Sequence, residues 1–192
     1  MHTEVTAAMV AEAKPDAVIV AKGSNPLVLP IPGINDTGVI HAGDLLDGKA
    51  SVGKKVLVVG GGMVGCEVAD FLGELGHEVS VIELRDQLGP DVIPEHRKFL
   101  MKDFEAYKVQ GVTGAKVAQF FTDGVSYTLA DGTEGRLEGF DNVVLAMGYR
   151  NNDTISEEIK KIVAETYVIG DAVKARKALD ATAEGLNTAL EI

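Results

Sequence analysis

The sequence predicts an α/β fold in which a parallel sheet is joined to an antiparallel three-stranded meander. Three observations carry that expectation. Short apolar runs rich in valine and isoleucine alternate with stretches of helical rhythm, which is the pattern of strand–helix–strand units. A glycine-rich turn, Gly60-Gly61-Gly62, separates one such strand from the helix that follows. Two Asp-Gly pairs, Asp123-Gly124 and Asp131-Gly132, then punctuate a segment whose period has become that of strands.

The elements follow in chain order. Thr6 to Lys14 is alanine-rich and reads as a helix, with the Thr6 hydroxyl placed to cap it. Pro15 to Ala21 reads as a buried strand. Residues 24–54 hold three of the six prolines and no sustained period, so they read as a connector with a boundary near Gly48 to Gly53. Beyond it come a strand (Lys55 to Val59), the glycine turn, a helix (Met63 to Leu75) stopped by Gly76, and a strand (Glu78 to Leu84). A second helix starts near Pro94, with Phe99, Leu100, Phe104 and Tyr107 in helical rhythm. The meander is followed by a strand over Asn142 to Ala146, one over Tyr167 to Ile169, and an amphipathic helix from Ala178.

Gly60, Gly62 and Gly65 spell G-x-G-x-x-G inside the strand–turn–helix. The first glycine permits a tight turn, the second lets backbone approach a pyrophosphate, and the third lets the helix sit close to the strand. Such a triplet is weak evidence alone; the strand before it and the helix after it make it specific. Unpaired amides at the helix N-terminus then face the phosphates. Glu83 stands 18 positions after Gly65, where a carboxylate can accept from both hydroxyls of the adenosine ribose and repel a 2′-phosphate. The expectation is a Rossmann-like domain binding NADH, with NADPH behind it. Arg85 is the one neighbour that could meet a 2′-phosphate.

Composition narrows the partners. A net charge of −11 over 192 residues offers no basic stripe to nucleic acid or anionic lipid. No apolar run approaches the ~20 residues that span a bilayer, and no N-terminal leader pattern is present. A cytoplasmic location is the resulting expectation. Cys66 is the single cysteine, which excludes an internal disulfide and a C-x-x-C redox pair. The histidines, His2, His41, His77 and His96, lack metal-ligand spacing and read as surface or structural. None of the four tyrosines has a lysine four positions on, which removes a short-chain dehydrogenase.

Four motifs in order carry a family resemblance: Ala21-Lys22-Gly23, the glycine fingerprint followed by Glu67, Ala146-Met147-Gly148, and Val168-Ile169-Gly170-Asp171. Their order resembles flavoproteins of the pyridine nucleotide-disulfide reductase fold. Within that group "GGGMVGCEVA", "LAMGYR" and "DATAEGLNTALEI" resemble the C-terminal reductase module of old yellow enzyme-like NADH:flavin oxidoreductases, enoate and 2,4-dienoyl-CoA reductases among them. The resemblance implies an NAD(H)-binding domain over residues 49–150 flanked by partial FAD-domain segments, 1–48 with the connector and 151–192 as the returning part. It also implies that the chain, with no glycine fingerprint before Gly23, is a piece lacking the FAD fingerprint and the catalytic barrel with its FMN and iron–sulfur cluster. Such a piece is expected to be colourless and inactive alone, with strand edges left to pair with another chain.

By the same resemblance, Gly60, Gly61, Gly62, Met63, Val64, Gly65, Glu67, Glu83, Leu84, Arg85, Ala146, Met147 and Gly148 are expected at the dinucleotide. Asp171 is expected at the ribityl chain of FAD in the intact enzyme, and as an exposed acid here. Glu67 and Met63 could steer the nicotinamide; dipole stabilisation of an acid and plain packing explain them equally well. Cys66 reads as a small buried residue against the sheet rather than as a helix-activated thiol. Lys22 departs from the threonine usual in the first Ala-x-Gly motif. A non-catalytic NAD(H) sensor or interaction domain would look the same in sequence.

Overall fold

A computed structural model of the chain describes residues 3–35 and 38–192. His2 lies outside the described residues. Along the chain, α1 (Ala7–Ala13), β1 (Ala17–Val20) and β2 (Ser24–Pro26) are followed by β3 (Ile40–His41) and α2 (Ala42–Leu46). Next come β4 (Lys55–Val59), α3 (Met63–Glu74), β5 (Glu78–Ile82) and α4 (Pro94–Tyr107). Then follow β6 (Gln110–Val112), β7 (Ala115–Phe121), β8 (Gly124–Leu129), β9 (Glu134–Leu137) and β10 (Asn142–Leu145). The last elements are β11 (Tyr149–Asn151), α5 (Ser156–Ile159), β12 (Glu165–Val168), a 3-10 turn (Gly170–Ala172) and α6 (Ala178–Glu191). They form two compact units, Val28–Gly148 and the pairing of Met1–Leu27 with Tyr149–Ile192.

The unit Val28–Gly148 has a parallel sheet in the order β3-β10-β4-β5-β6 and an antiparallel sheet β7-β8-β9. Alternation along β4 decides how the layers stack. Val56 and Val58 point into a core shared with Cys66, Val68, Ala69 and Leu72 of α3 and Phe104 of α4. Leu57 and Val59 point the other way, into a core shared with Ala115, Phe120 and Val125 of the meander. A strand buried on both faces needs a continuous apolar run rather than alternation with polar residues, and "KVLVV" supplies one. Helices therefore cover one face of the sheet and the meander covers the other.

This division differs from the boundary read near residue 48. Residues 28–48 belong with the body that holds the parallel sheet because they bury apolar side chains in it: Ile34 joins the meander-side core, and Ala42 and Leu45 join the helix-side core. Strand β3 also extends the sheet beside β10, and the Phe120 N–H donates to Pro32 O at 2.8 Å. With elements two to five residues long, this stretch carries no period that could reveal it. At the other end the body stops at Gly148, and β11 pairs antiparallel with β2 in the second unit.

In that second unit β1 pairs in parallel with β12, over a small core of Val10, Val20, Ile159 and Val163. The Thr6 hydroxyl caps α1 by accepting the Met9 N–H at 3.3 Å. Asp153 accepts the Ser156 N–H at 3.0 Å at the start of α5. Among the described residues no helix is long and apolar enough to cross a membrane.

Candidate functional site

The site grows from the crossing of α3 over the end of β4. Gly60 takes φ +107°, a left-handed value, with its absent Cβ pointing at Ala146 O, 2.4 Å away. A Cβ on Gly65 would stand 1.8 Å from Gly60 O. Only glycine at both positions lets the first turn of α3 rest on the strand turn, with Ala146 of the neighbouring loop beside it. Sequence spacing and local geometry thus agree on why these glycines are here.

Opening from this turn is a cavity of about 490 Å³ at the C-terminal ends of the parallel strands. That size is ordinary for a small-molecule site, and the location is where open α/β sheets bind ligands. Gly60, Gly62, Met63, Val64, Glu83, Leu84, Arg85, Ala146, Met147 and Gly148 all line it. Leu29 and Ile31 form one further wall, and Ala115, Lys116 and Val117 of β7 another.

Glu83 is the buried acid of the site, 7% exposed. Its carboxylate accepts the Gly61 N–H at 2.5 Å, the Arg85 N–H at 2.9 Å and Arg85 Nε–H at 2.9 Å. A carboxylate offers about four acceptor positions, so three are engaged and about one is left for a ligand hydroxyl. Arg85 extends from Glu83 toward Asp91, with Nη2 3.7 Å from Asp91 Oδ1. Asp91 in turn accepts the Met63 N–H at 3.0 Å, at the start of α3.

Comparison with known families decides the kinship. The family model described as pyridine nucleotide-disulphide oxidoreductase matches residues 3–184. The chain belongs to this family. Among pyridine nucleotide-disulphide oxidoreductase relatives, an NADH oxidase of Thermoanaerobacter brockii is 35% identical over 95% of this chain and 29% of its own length. A metal reductase of Desulforamulus reducens is 29% identical over 99% of this chain and 33% of its own length. A solved 2-naphthoyl-CoA reductase superposes with a TM-score of 0.89 at 30% identity, covering 100% of this chain and 29% of that one. The chain thus spans about a third of these oxidoreductases.

Against this family fold, the sequence-derived residues separate into groups. Gly61 and Gly65 are buried beneath the cavity and shape it without lining it. Glu67 is exposed on α3 and does not line the cavity. Asp171 lies in the other unit and is half-buried rather than exposed: it accepts from the Ser24 hydroxyl at 3.1 Å and the Arg176 N–H at 3.2 Å. Lys22 donates to Thr154 Oγ1 at 2.7 Å. Asp91 and the walls from Leu29, Ile31 and β7 were missed. A Gly-Pro-Asp turn ahead of a proline-started helix was the only local signal for Asp91; the walls come from segments distant in sequence and had none. Among the described residues no cluster of His, Cys, Asp or Glu is arranged to hold a metal.

Cys66 is fully buried, and its thiol donates to Gly61 O at 3.3 Å. Burial, with the nearby Asp91 charge adding to it, pushes the thiol up to about 11. Only thiolate reacts with alkylating reagents. At pH 8 the folded chain is therefore expected to react with iodoacetamide at least ~100-fold more slowly than the urea-unfolded chain. The sign follows from a raised folded-state value: the thiol stays neutral and inert through pH 9 and becomes reactive only as pH nears 11. Equal labelling rates at pH 8 would show that the thiol is neither buried nor held on the glycine turn.

Proposed function

We propose that this chain is the NADH-binding module of a flavin-dependent oxidoreductase, of the old yellow enzyme-like NADH:flavin type, and that the cavity above α3 receives the nucleotide. The observation that carries this reading is the cavity itself: it opens on the first turn of a helix seated on a glycine turn, next to a buried carboxylate. The residues present fit a dinucleotide. Main-chain N–H groups of Gly62, Met63 and Val64 would hold the diphosphate, helped by the helix dipole. Glu83 would accept a ribose hydroxyl with its remaining acceptor position. Met63, Met147 and the Gly148 turn offer an apolar floor for the nicotinamide end, where Gly148 has φ +95° and no atom close to its missing Cβ.

When bound, NADH supplies a hydride that the longer enzyme delivers to a flavin. The chain's own task is to bind and orient the reductant, which lowers the barrier by positioning. Asp171 accepts from Ser24 and Arg176, and no step is assigned to a flavin on this chain. Flavin binding and the final electron acceptor belong with the other two thirds of the longer protein, a reading supported by relatives about three times this length.

Calorimetric titration of the 192-residue chain with NADH, NADPH and FAD tests the reading. Expected is the affinity order NADH, NADPH, FAD, with FAD binding negligible. Silence with both nicotinamide nucleotides, or FAD as the tightest ligand, would reject it.

A further inference from the structure

The space that the glycine fingerprint leaves for phosphate is filled by the protein's own charges. A Cβ on Gly62 would stand 3.1 Å from Arg85 Nη2 and 3.4 Å from Asp91 Oδ2. Asp91 Oδ1 takes the Met63 N–H at 3.0 Å, one of the amides at the start of α3. A carboxylate is held at a helix N-terminus by the same attraction that holds a phosphate. Arg85 sits between this carboxylate and that of Glu83, so both of its neighbours are acids of the chain.

Asp91 is presented there by a strap, not by a chance rotamer. The segment after β5 crosses the glycine turn, and the Gly89 N–H donates to Gly61 O at 2.7 Å. Leu88 is buried in the helix-side core, and its carbonyl accepts Arg97 Nε–H of α4 at 2.7 Å. The strap is thus anchored on both sides by bonds that do not involve Asp91. Asp91 itself remains about half exposed and is free to swing outward once its place is taken.

We propose that Asp91 is a built-in counter-anion: its carboxylate occupies the diphosphate seat at the start of α3 and must leave when nucleotide binds. This rests on the nucleotide reading of the cavity given above. Binding is then an exchange of one anion for another, and part of the attraction between helix terminus and diphosphate is spent displacing Asp91. A diphosphate arriving while Asp91 stays would meet a like charge within a few ångströms, a repulsion of the moderate, salt-screened kind found near a protein surface. The device sets affinity for any ligand that presents a diphosphate and leaves phosphate-free ligands untouched.

Asp91→Asn isolates the charge, because the replacement keeps an oxygen for the Met63 N–H and should not disturb the fold. Titrations with NADH, ADP and adenosine are run on both proteins. The variant is expected to bind NADH and ADP about tenfold more tightly, with adenosine unchanged, and the gain should shrink as salt screens the charge. Unchanged or weaker NADH and ADP binding by the variant, with the wild-type chain binding normally, overturns the counter-anion alone. An equal gain for adenosine also overturns it, since the effect would then lie outside the diphosphate seat. If neither protein binds NADH or ADP, the nucleotide reading fails and takes this inference with it.

Discussion

Gly65→Ala is expected to abolish NADH binding and to lower the melting temperature by roughly 10 °C. The added methyl would stand 1.8 Å from Gly60 O and 2.9 Å from the carbonyl carbon behind it. Both are backbone atoms of a turn fixed to β4, whose Val56, Leu57 and Val58 are wholly buried. No flexible side chain can yield, so α3 must lift from the sheet by more than 1 Å. Overpacking a core costs about 1–3 kcal/mol and occasionally more; with backbone against backbone, about 3 kcal/mol is the fair expectation. For a chain of this size each kcal/mol moves the melting point by about 2–4 °C. Displacing the helix also carries its N-terminal amides away from the ligand. Gly185→Ala supplies the contrast: its methyl would meet only Ile169 Cδ1 at 3.8 Å, and alanine is favoured over glycine within a helix by up to about 1 kcal/mol. Calorimetric melting and NADH titration of the two variants check the pair. Were Gly65→Ala to melt and bind like the parent chain, α3 would not rest on the strand turn, and the geometry that defines the site would be wrong.

The same contrast explains what could be read from sequence. The unit from β4 to β5 was legible because every requirement is local: an apolar strand, glycines where backbone meets backbone, and a helix ended by Gly76. The meander was legible because Asp-Gly turns lie between strands of regular period. Residues 28–48 were not. Their role is to close edges and faces, with Ile34 under the meander and the two-residue β3 against β10, and such contacts leave no periodic trace. Glu67 shows what resemblance leaves open: it equally fits a ligand role and an acid stabilised by the helix dipole, and α3 turns it to solvent while Met63 and Val64 line the cavity. Glu83 directly follows β5, which ends at Ile82 rather than at Leu84, but its engagement by Gly61 and Arg85 depends on two turns meeting in space, and no spacing rule shows which acceptor positions are already filled.

Glu83→Ala should therefore do two things at once. Gly61 is buried, and its N–H would lose the carboxylate it now reaches at 2.5 Å. An unpaired buried donor costs about 1–3 kcal/mol, and the half-exposed Arg85 can recover part of its own loss from water, so about 2 kcal/mol of destabilisation is expected. In the ligand, NADH loses the acceptor for its ribose hydroxyl and should bind at least about tenfold more weakly, a change of about 1.4 kcal/mol. NADPH should lose less. Its 2′-phosphate no longer faces a buried negative charge, and Arg85, released from Glu83, keeps only the 3.7 Å contact with Asp91 and can turn to the phosphate. The difference between the two nucleotides is thus expected to narrow severalfold, measured as the ratio of dissociation constants alongside a urea denaturation curve. If both affinities fall by the same factor, Glu83 supports the glycine turn without discriminating between nucleotides.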